Sequence, residues 1–249
     1  NIDLTAAQTG SLNIDSGAGT TALRVNNITI ASGAGAFSLG NGLNTFNLTL
    51  GGGASTQTWT NNSSNTATIG SDVVWGLGGG GAHTLAVGGS GNWAFNNAMV
   101  SGSGTLSLTK SGTGTATLTS ASNAIVGSVT VAGGALSVSG TLGTNTTNGN
   151  FRVGTTANTK AVLNILSGAV INNRLNLFVG DSGGGTGGGA VFQSGGSLTL
   201  TQAAGIDNLR IGSNGSGYGY YNLSGGSVTS NRPAIGASLA DTVGVVDVT

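Results

Sequence analysis

Short alternating segments run along the whole chain, apolar at one position and small or polar at the next. Leu12-Asn-Ile14, Ile28-Thr-Ile30, Phe46-Asn-Leu-Thr-Leu50, Leu85-Ala-Val87, Leu106-Ser-Leu108 and Val129-Thr-Val131 all read this way. A period of two sends one set of side chains inward and the other to solvent, the pattern of a β-strand with one buried face. The strands are short, and Gly, Ser or Asn bounds nearly all of them. Those are the residues that turn a chain.

The pattern repeats at a longer period. Phe151-Arg-Val-Gly154, Leu177-Phe-Val-Gly180, Leu209-Arg-Ile-Gly212 and Pro233-Ala-Ile-Gly236 align, and the widest interval falls between Gly180 and Gly212. The first three are each followed by a second related element: Leu166-Ser-Gly-Ala-Val170, Gln193-Ser-Gly-Gly-Ser-Leu198 and Leu223-Ser-Gly-Gly-Ser-Val228. Each unit therefore reads as strand, glycine corner, polar spacer, second strand and second glycine corner. The length variation is expected in the spacer after the first glycine.

A β-sandwich also has short alternating strands, but its turns recur at roughly 8–12 residues. Here equivalent strands return at a longer interval with the same flanking residues. Stacked coils explain that. The fold expected is all-β, a right-handed parallel β-helix (β-solenoid) running continuously over 1–249, as a segment of a longer chain. It divides into irregular N-terminal coils over 1–84, a distinct repeat over 85–140 and the Val/Ile-Gly units over 151–249. Coils of roughly 20–25 residues give about ten of them, and at about 4.8 Å per coil a rod near 50 Å long. Val153, Val179, Ile211 and Ile235 should form one inward column, with Gly154, Gly180, Gly212 and Gly236 at the corner beside it.

Composition supports the solenoid. Glycine supplies 49 of 249 residues, only 6% are charged, and there is no Cys and one Pro. Collagen needs glycine at every third position and much proline. Disorder needs few apolar residues and many charges, whereas 37% of this chain is hydrophobic. The formal net charge is zero and the seven basic residues are spread thinly, which argues against a nucleic-acid partner. No apolar run approaches the roughly 20 residues of a membrane-spanning helix.

Between Leu85 and Val138 lies a more specific motif. Gly104-Thr-Leu-Ser-Leu-Thr-Lys110-Ser-Gly-Thr-Gly-Thr115-Ala-Thr-Leu118 is followed by Val129-Thr-Val131 and Gly133-Gly-Ala-Leu136. This segment resembles the autotransporter-associated β-strand repeat. The resemblance covers Gly104–Val138 and reaches no family catalytic motif. It implies a passenger-type β-helix exported to the outside of a bacterium, at the cell surface or secreted.

Candidate chemistry is sparse. The seven Asp residues are isolated in sequence, and sugar hydrolysis needs two carboxylates about 5–9.5 Å apart. The best acid/base set is Asp181 and Asp207 with Arg210, weighed against Asp residues that merely form loop turns. His83, in Gly80-Gly-Ala-His83, has no Cys or acid cluster to share a metal with, so a surface-loop histidine is expected. No catalytic residue, metal or cofactor is assigned. The Thr-x-Thr pieces, such as Thr66-Ala-Thr68, would suit an ordered hydroxyl array only at one position in every coil, so strand propensity is the simpler account.

Aromatic residues remain. Trp59, Trp75, Trp93 and Phe95 are either a glycan-binding strip or core filling. Tyr218 and Tyr220 should share one face, with Tyr221 on the other. Trp59, Trp93, Tyr218 and Tyr220 are the candidate contact residues. The expected function is a structural or adhesive extracellular stalk, not an enzyme. Its candidate partners are surface glycans, other cell-surface proteins, or further copies of itself joined end to end or side by side, because both ends of the chain run through strand pattern. A glycan- or partner-binding module is the alternative, and a polysaccharide-active enzyme the third reading.

Overall fold

The computed structural model describes residues 1–16, 21–40, 42, 44–100, 104–144, 149–173, 176–181, 187–201, 208–214, 217–236 and 242–249. Among these residues every regular element is a strand, and every strand pairing is parallel. The chain is a parallel β-solenoid with three faces per coil.

Face one is a sheet of ten strands, one per coil, from Ile2–Leu4 to Pro233–Ile235. Face two begins at Leu12–Ile14, passes through Trp93–Phe95, Thr115–Leu118, Gly134–Val138 and Lys160–Ile165, and closes on Val243–Val248. Face three starts as Thr21–Val25, Phe46–Leu50 and Val73–Leu77 and resumes as Asn123–Ala124, Thr141–Thr144 and Val170–Asn173. The two longest strands, Gly188–Leu200 and Tyr218–Ser230, run through faces two and three without a break.

Register explains the sequence period. Ile2, Ile28, Trp59, Val87, Lys110, Val131, Val153, Val179, Ile211 and Ile235 stack in one inward column of face one. The four residues expected as a column are its last four members; Val153, Val179 and Ile211 are buried, while Ile235, on the last rung, is 55% exposed. Spacing along the sequence is uneven: Lys110 and Val131 are the closest neighbours in the column, Val179 and Ile211 the most distant. Ten rungs enclose nine full steps, slightly fewer than expected. Nine steps of about 4.8 Å make a stack of roughly 43 Å.

Length variation is not confined to one spacer, which corrects the sequence reading. The path from Val179 to Gly188 is longer than those from Val153 to Lys160 and from Ile211 to Tyr218. The path from Leu200 to Leu209 is likewise longer than those from Asn173 to Leu177 and from Ser230 to Pro233. The same unit is therefore long at both corners. The register shifts locally after Val179 but is back in step on the next face, with Gly188 opposite Tyr218, so the extra length is tolerated.

The interior fills by size. In one face-two column Ala67, Trp93 and Ala116 follow one another, so a large indole sits between two methyl groups. Each fully buried Val, Leu or Ile contributes about 1.5–3 kcal/mol relative to exposure. No coil can bury these side chains without the coils above and below.

Buried amides stitch coils together where the backbone turns. Asn123 is 2% exposed. Its Nδ2 donates to Ser120 O at 3.1 Å and Thr141 O at 2.9 Å, and its Oδ1 accepts from Met99 N at 3.0 Å. One side chain thereby satisfies backbone groups of three successive coils. Asn61 acts in the same way near the N-terminus, donating to Asn65 O and Asn92 O and accepting from Ser63 N.

Candidate functional site

The repeat glycines adopt the backbone conformation that their position demands. Gly154, Gly180, Gly212 and Gly236 have φ of 80°, 73°, 72° and 62°. Side chains disfavour that region. A Cβ on Gly154 would also lie 2.6 Å from Gly189 N, and one on Gly180 would lie 2.5 Å from the Tyr218 carbonyl carbon. The facing column Gly189, Gly219, Gly244 lets the two sheets meet backbone to backbone at this corner. That second glycine column is legible only once the register is known.

The tryptophan strip is inside the solenoid. Trp59 and Trp93 are buried, and Trp75 and Phe95 pack with them. Trp59 lies 5.5 Å from Trp75 and 5.7 Å from Trp93, ring centre to ring centre. Trp93 Nε1 donates to Gly88 O. Of the two readings of Trp59 and Trp93, core filling is the one observed, and neither is available as a surface contact. Each occupies an inward position of the two-residue alternation, where a large apolar ring gains most from burial.

Tyr218 and Tyr220 do face outward together. Tyr218 is 47% exposed, and Tyr220 packs on Phe192, itself 42% exposed, at 5.7 Å between ring centres. Tyr221 points inward, as expected, and its hydroxyl donates to Gln193 Oε1 at 2.5 Å. Burial pushes the Tyr221 phenol well above its ordinary value. Phe192 is a member of this patch that the sequence reading missed. Its signal is its place two residues after Ala190 in an alternating run.

Two polar residues lie where the sequence reading did not put them. His83 is buried on the strand Ala82–Gly88, not in a surface loop. It shares inward parity with Leu85 and Val87, so the alternation outweighs the preceding glycines. Among the described residues neither ring nitrogen has a hydrogen-bond partner. Lys110 occupies the inward column between Val87 and Val131 and is 1% exposed. Its Nζ donates to the carbonyls of Ser111 at 2.5 Å, Gly133 at 3.2 Å and Gly112 at 3.5 Å. Burial lowers its pKa to about 8. The signal is the run Leu106, Leu108, Lys110.

Of the acid/base set, Asp181 and Arg210 lie within the described residues. Asp181 is buried, not a solvated turn residue, and its Oδ2 pairs with Arg152 Nη1 at 2.6 Å. Arg152 and Arg210 flank the Phe178 ring at 5.2 and 5.4 Å. Asp207 lies outside the described residues. Among the described residues no three His, Cys, Asp or Glu side chains come together, and no helix is long and apolar enough to cross a membrane.

Beside the Lys110 corner a groove of about 730 Å³ opens on the outside of the solenoid. Its walls include Thr113, Thr156, Asn158 and Lys160, and its floor includes Ala135 and Val162. The floor is continuous with the tyrosine face. Ala135, Val162, Ala190, Tyr220 and Val245 are register partners in one outward column, and Lys160, Gly188, Tyr218 and Val243 form the next.

These features define the class: a three-faced parallel β-solenoid with a filled interior and one continuous outer track on face two. No family model, curated protein or solved structure matches the chain.

Proposed function

We propose that this chain is a rigid, non-enzymatic segment of a bacterial surface or secreted protein, acting as a stalk or adhesive passenger. The observation that carries this reading is the ten-strand parallel ladder of face one, whose inward column continues from Ile2 to Ile235. In such a stack bending must stretch backbone hydrogen bonds on one face and crowd side chains on another, so length is held stiffly. The motif around Lys110 and its likeness to autotransporter-associated repeats support export.

The test is a length experiment. The chain is placed between a surface anchor and a fluorescent reporter on bacteria, and the three coils between Val153 and Ile235 are duplicated. Three added steps of about 4.8 Å should move the reporter outward by roughly 14 Å. A reporter whose height ignores the duplication would end the stalk reading.

A second reading, an adhesive module that binds a ligand on its flank, is favoured by one observation. Phe192, Tyr218, Val243 and Val245 are outward-facing and exposed on adjacent strands. Contiguous exposed apolar surface of this kind marks a binding site more often than scattered single residues do.

A further inference from the structure

We infer that the outer track of face two binds an uncharged polysaccharide chain lying along the solenoid axis. The inference deepens the adhesive reading and rests on it.

Three observations converge. First, the groove shares its two side-chain columns with Tyr218 and Tyr220, with Gly188 and Ala190 as the small residues between them, and Phe192 stands in the next outward column. From Ala135 to Val245 is four coil steps, roughly 19 Å at about 4.8 Å each. A ligand that fills this track is long, narrow and repeating. Second, the far end offers Tyr218, Tyr220 and Phe192, whose ring faces suit the C–H faces of sugar rings. Asp247 Oδ2 accepts from the Tyr220 hydroxyl at 3.3 Å and from Asn222 Nδ2 at 3.4 Å. That polar edge beside exposed rings matches a molecule with apolar faces and a rim of hydroxyls. Third, the charges among the described residues of the track and of the Phe192 column beside it are Lys160 at the groove and Asp247 at the aromatic end. They balance, so the track is matched to an uncharged chain. It presents side chains, not a free strand edge, so it lacks the backbone donors and acceptors by which an extended peptide adds to a sheet.

Position 188 provides a clean obstruction. A Cβ there meets nothing within 4 Å, so Gly188→Gln fills the track without disturbing the fold. Binding of cellohexaose, chitohexaose, mannohexaose and maltohexaose to the full chain would be measured by calorimetry. Ring resonances of labelled Phe and Tyr would be followed in the unaltered protein. At least one hexasaccharide should bind and shift the Phe192, Tyr218 and Tyr220 signals. Tyr220→Ala should weaken that binding about tenfold, which is about 1.4 kcal/mol. Gly188→Gln should reduce the affinity for the hexasaccharide toward that of the matching disaccharide, while Asn172→Ala, exposed on face three and away from the track, leaves it unchanged. Absence of binding to all four sugars would overturn the inference. So would binding indifferent to both track variants, or self-association of the chain that Tyr220→Ala abolishes. A stalk that lengthens on coil duplication yet binds no sugar would remove this inference and leave the structural role standing.

Discussion

Lys110 makes the stability of the solenoid depend on pH. Its ammonium is buried in a column otherwise apolar nearby, and burial lowers its pKa from 10.5 to about 8. Between those values the unfolded chain holds the proton and the folded chain has released it. The unfolded state then binds more protons, so stability rises with pH. Below about 8 both states are protonated and the folded state bears the full burden of a desolvated charge. At about 1.4 kcal/mol per unit of pKa, that burden is about 3 kcal/mol in total. Of this, about 2 kcal/mol should be relieved between pH 7.5 and 9.5. The upper limit matters because Tyr221 acts oppositely. Its phenol is raised by burial, so above pH 10 the unfolded chain loses a proton that the folded chain keeps, and stability falls. The assay is urea unfolding at half-unit pH steps from 7.5 to 9.5, followed by tryptophan fluorescence. Trp59 stacks one coil beyond Val87 from Lys110, so the indole signal reports on the relevant coils. Stability of the natural chain should climb across the window. Lys110→Met has nothing to titrate there, so its profile should be flatter by about 2 kcal/mol. Equal slopes for the two proteins would refute the burial of a charged Lys110 inside the solenoid.

Three further outcomes follow from packing. Gly180→Ala combines a positive φ with a Cβ 2.5 Å from the Tyr218 carbonyl carbon, whereas Gly236→Ala has its nearest atom at 3.7 Å. Denaturant titration should show about 1–2 kcal/mol for Gly236→Ala from backbone strain alone and a larger loss for Gly180→Ala. Asn123→Leu leaves the Ser120, Thr141 and Met99 backbone groups without their partner. It should cost about 1–3 kcal/mol for each group that stays buried and unpaired, against less than about 0.5 kcal/mol for the exposed Ser122→Ala. Ala116→Leu crowds Trp93 from the neighbouring coil and should cost about 1–3 kcal/mol; a Leu accepted without loss would mean that the indole is not confined as described.

The alternation alone carries most of the fold. Val153, Val179, Ile211 and Ile235 can be aligned because a glycine follows each, whereas only the strand register shows that Trp59 and Lys110 share their column. Sequence spacing does not supply the register of the irregular N-terminal coils. Ile28 and Trp59 are register neighbours across a much longer stretch of chain than Lys110 and Val131. Without that register Trp59 and Trp93 stay open between surface and core, and the neighbouring glycines draw His83 into a loop. The outer track is hidden for the same reason. Val162, Ala190 and Tyr220 share no motif, and only stacking brings them into line.

The central claim is that each coil advances the chain by one strand spacing, however long its corners are. The chain has no cysteine, so spin labels can be placed at will. Thr58, Thr130 and Ala234 belong to one outward column of face one, with Thr130 three rungs and Ala234 seven rungs from Thr58. Electron-spin distance measurements on Thr58→Cys paired with Thr130→Cys and with Ala234→Cys should give roughly 14 and 34 Å, three and seven steps of about 4.8 Å. Distances that fail to grow with the number of rungs would contradict the stacked solenoid and everything built on it.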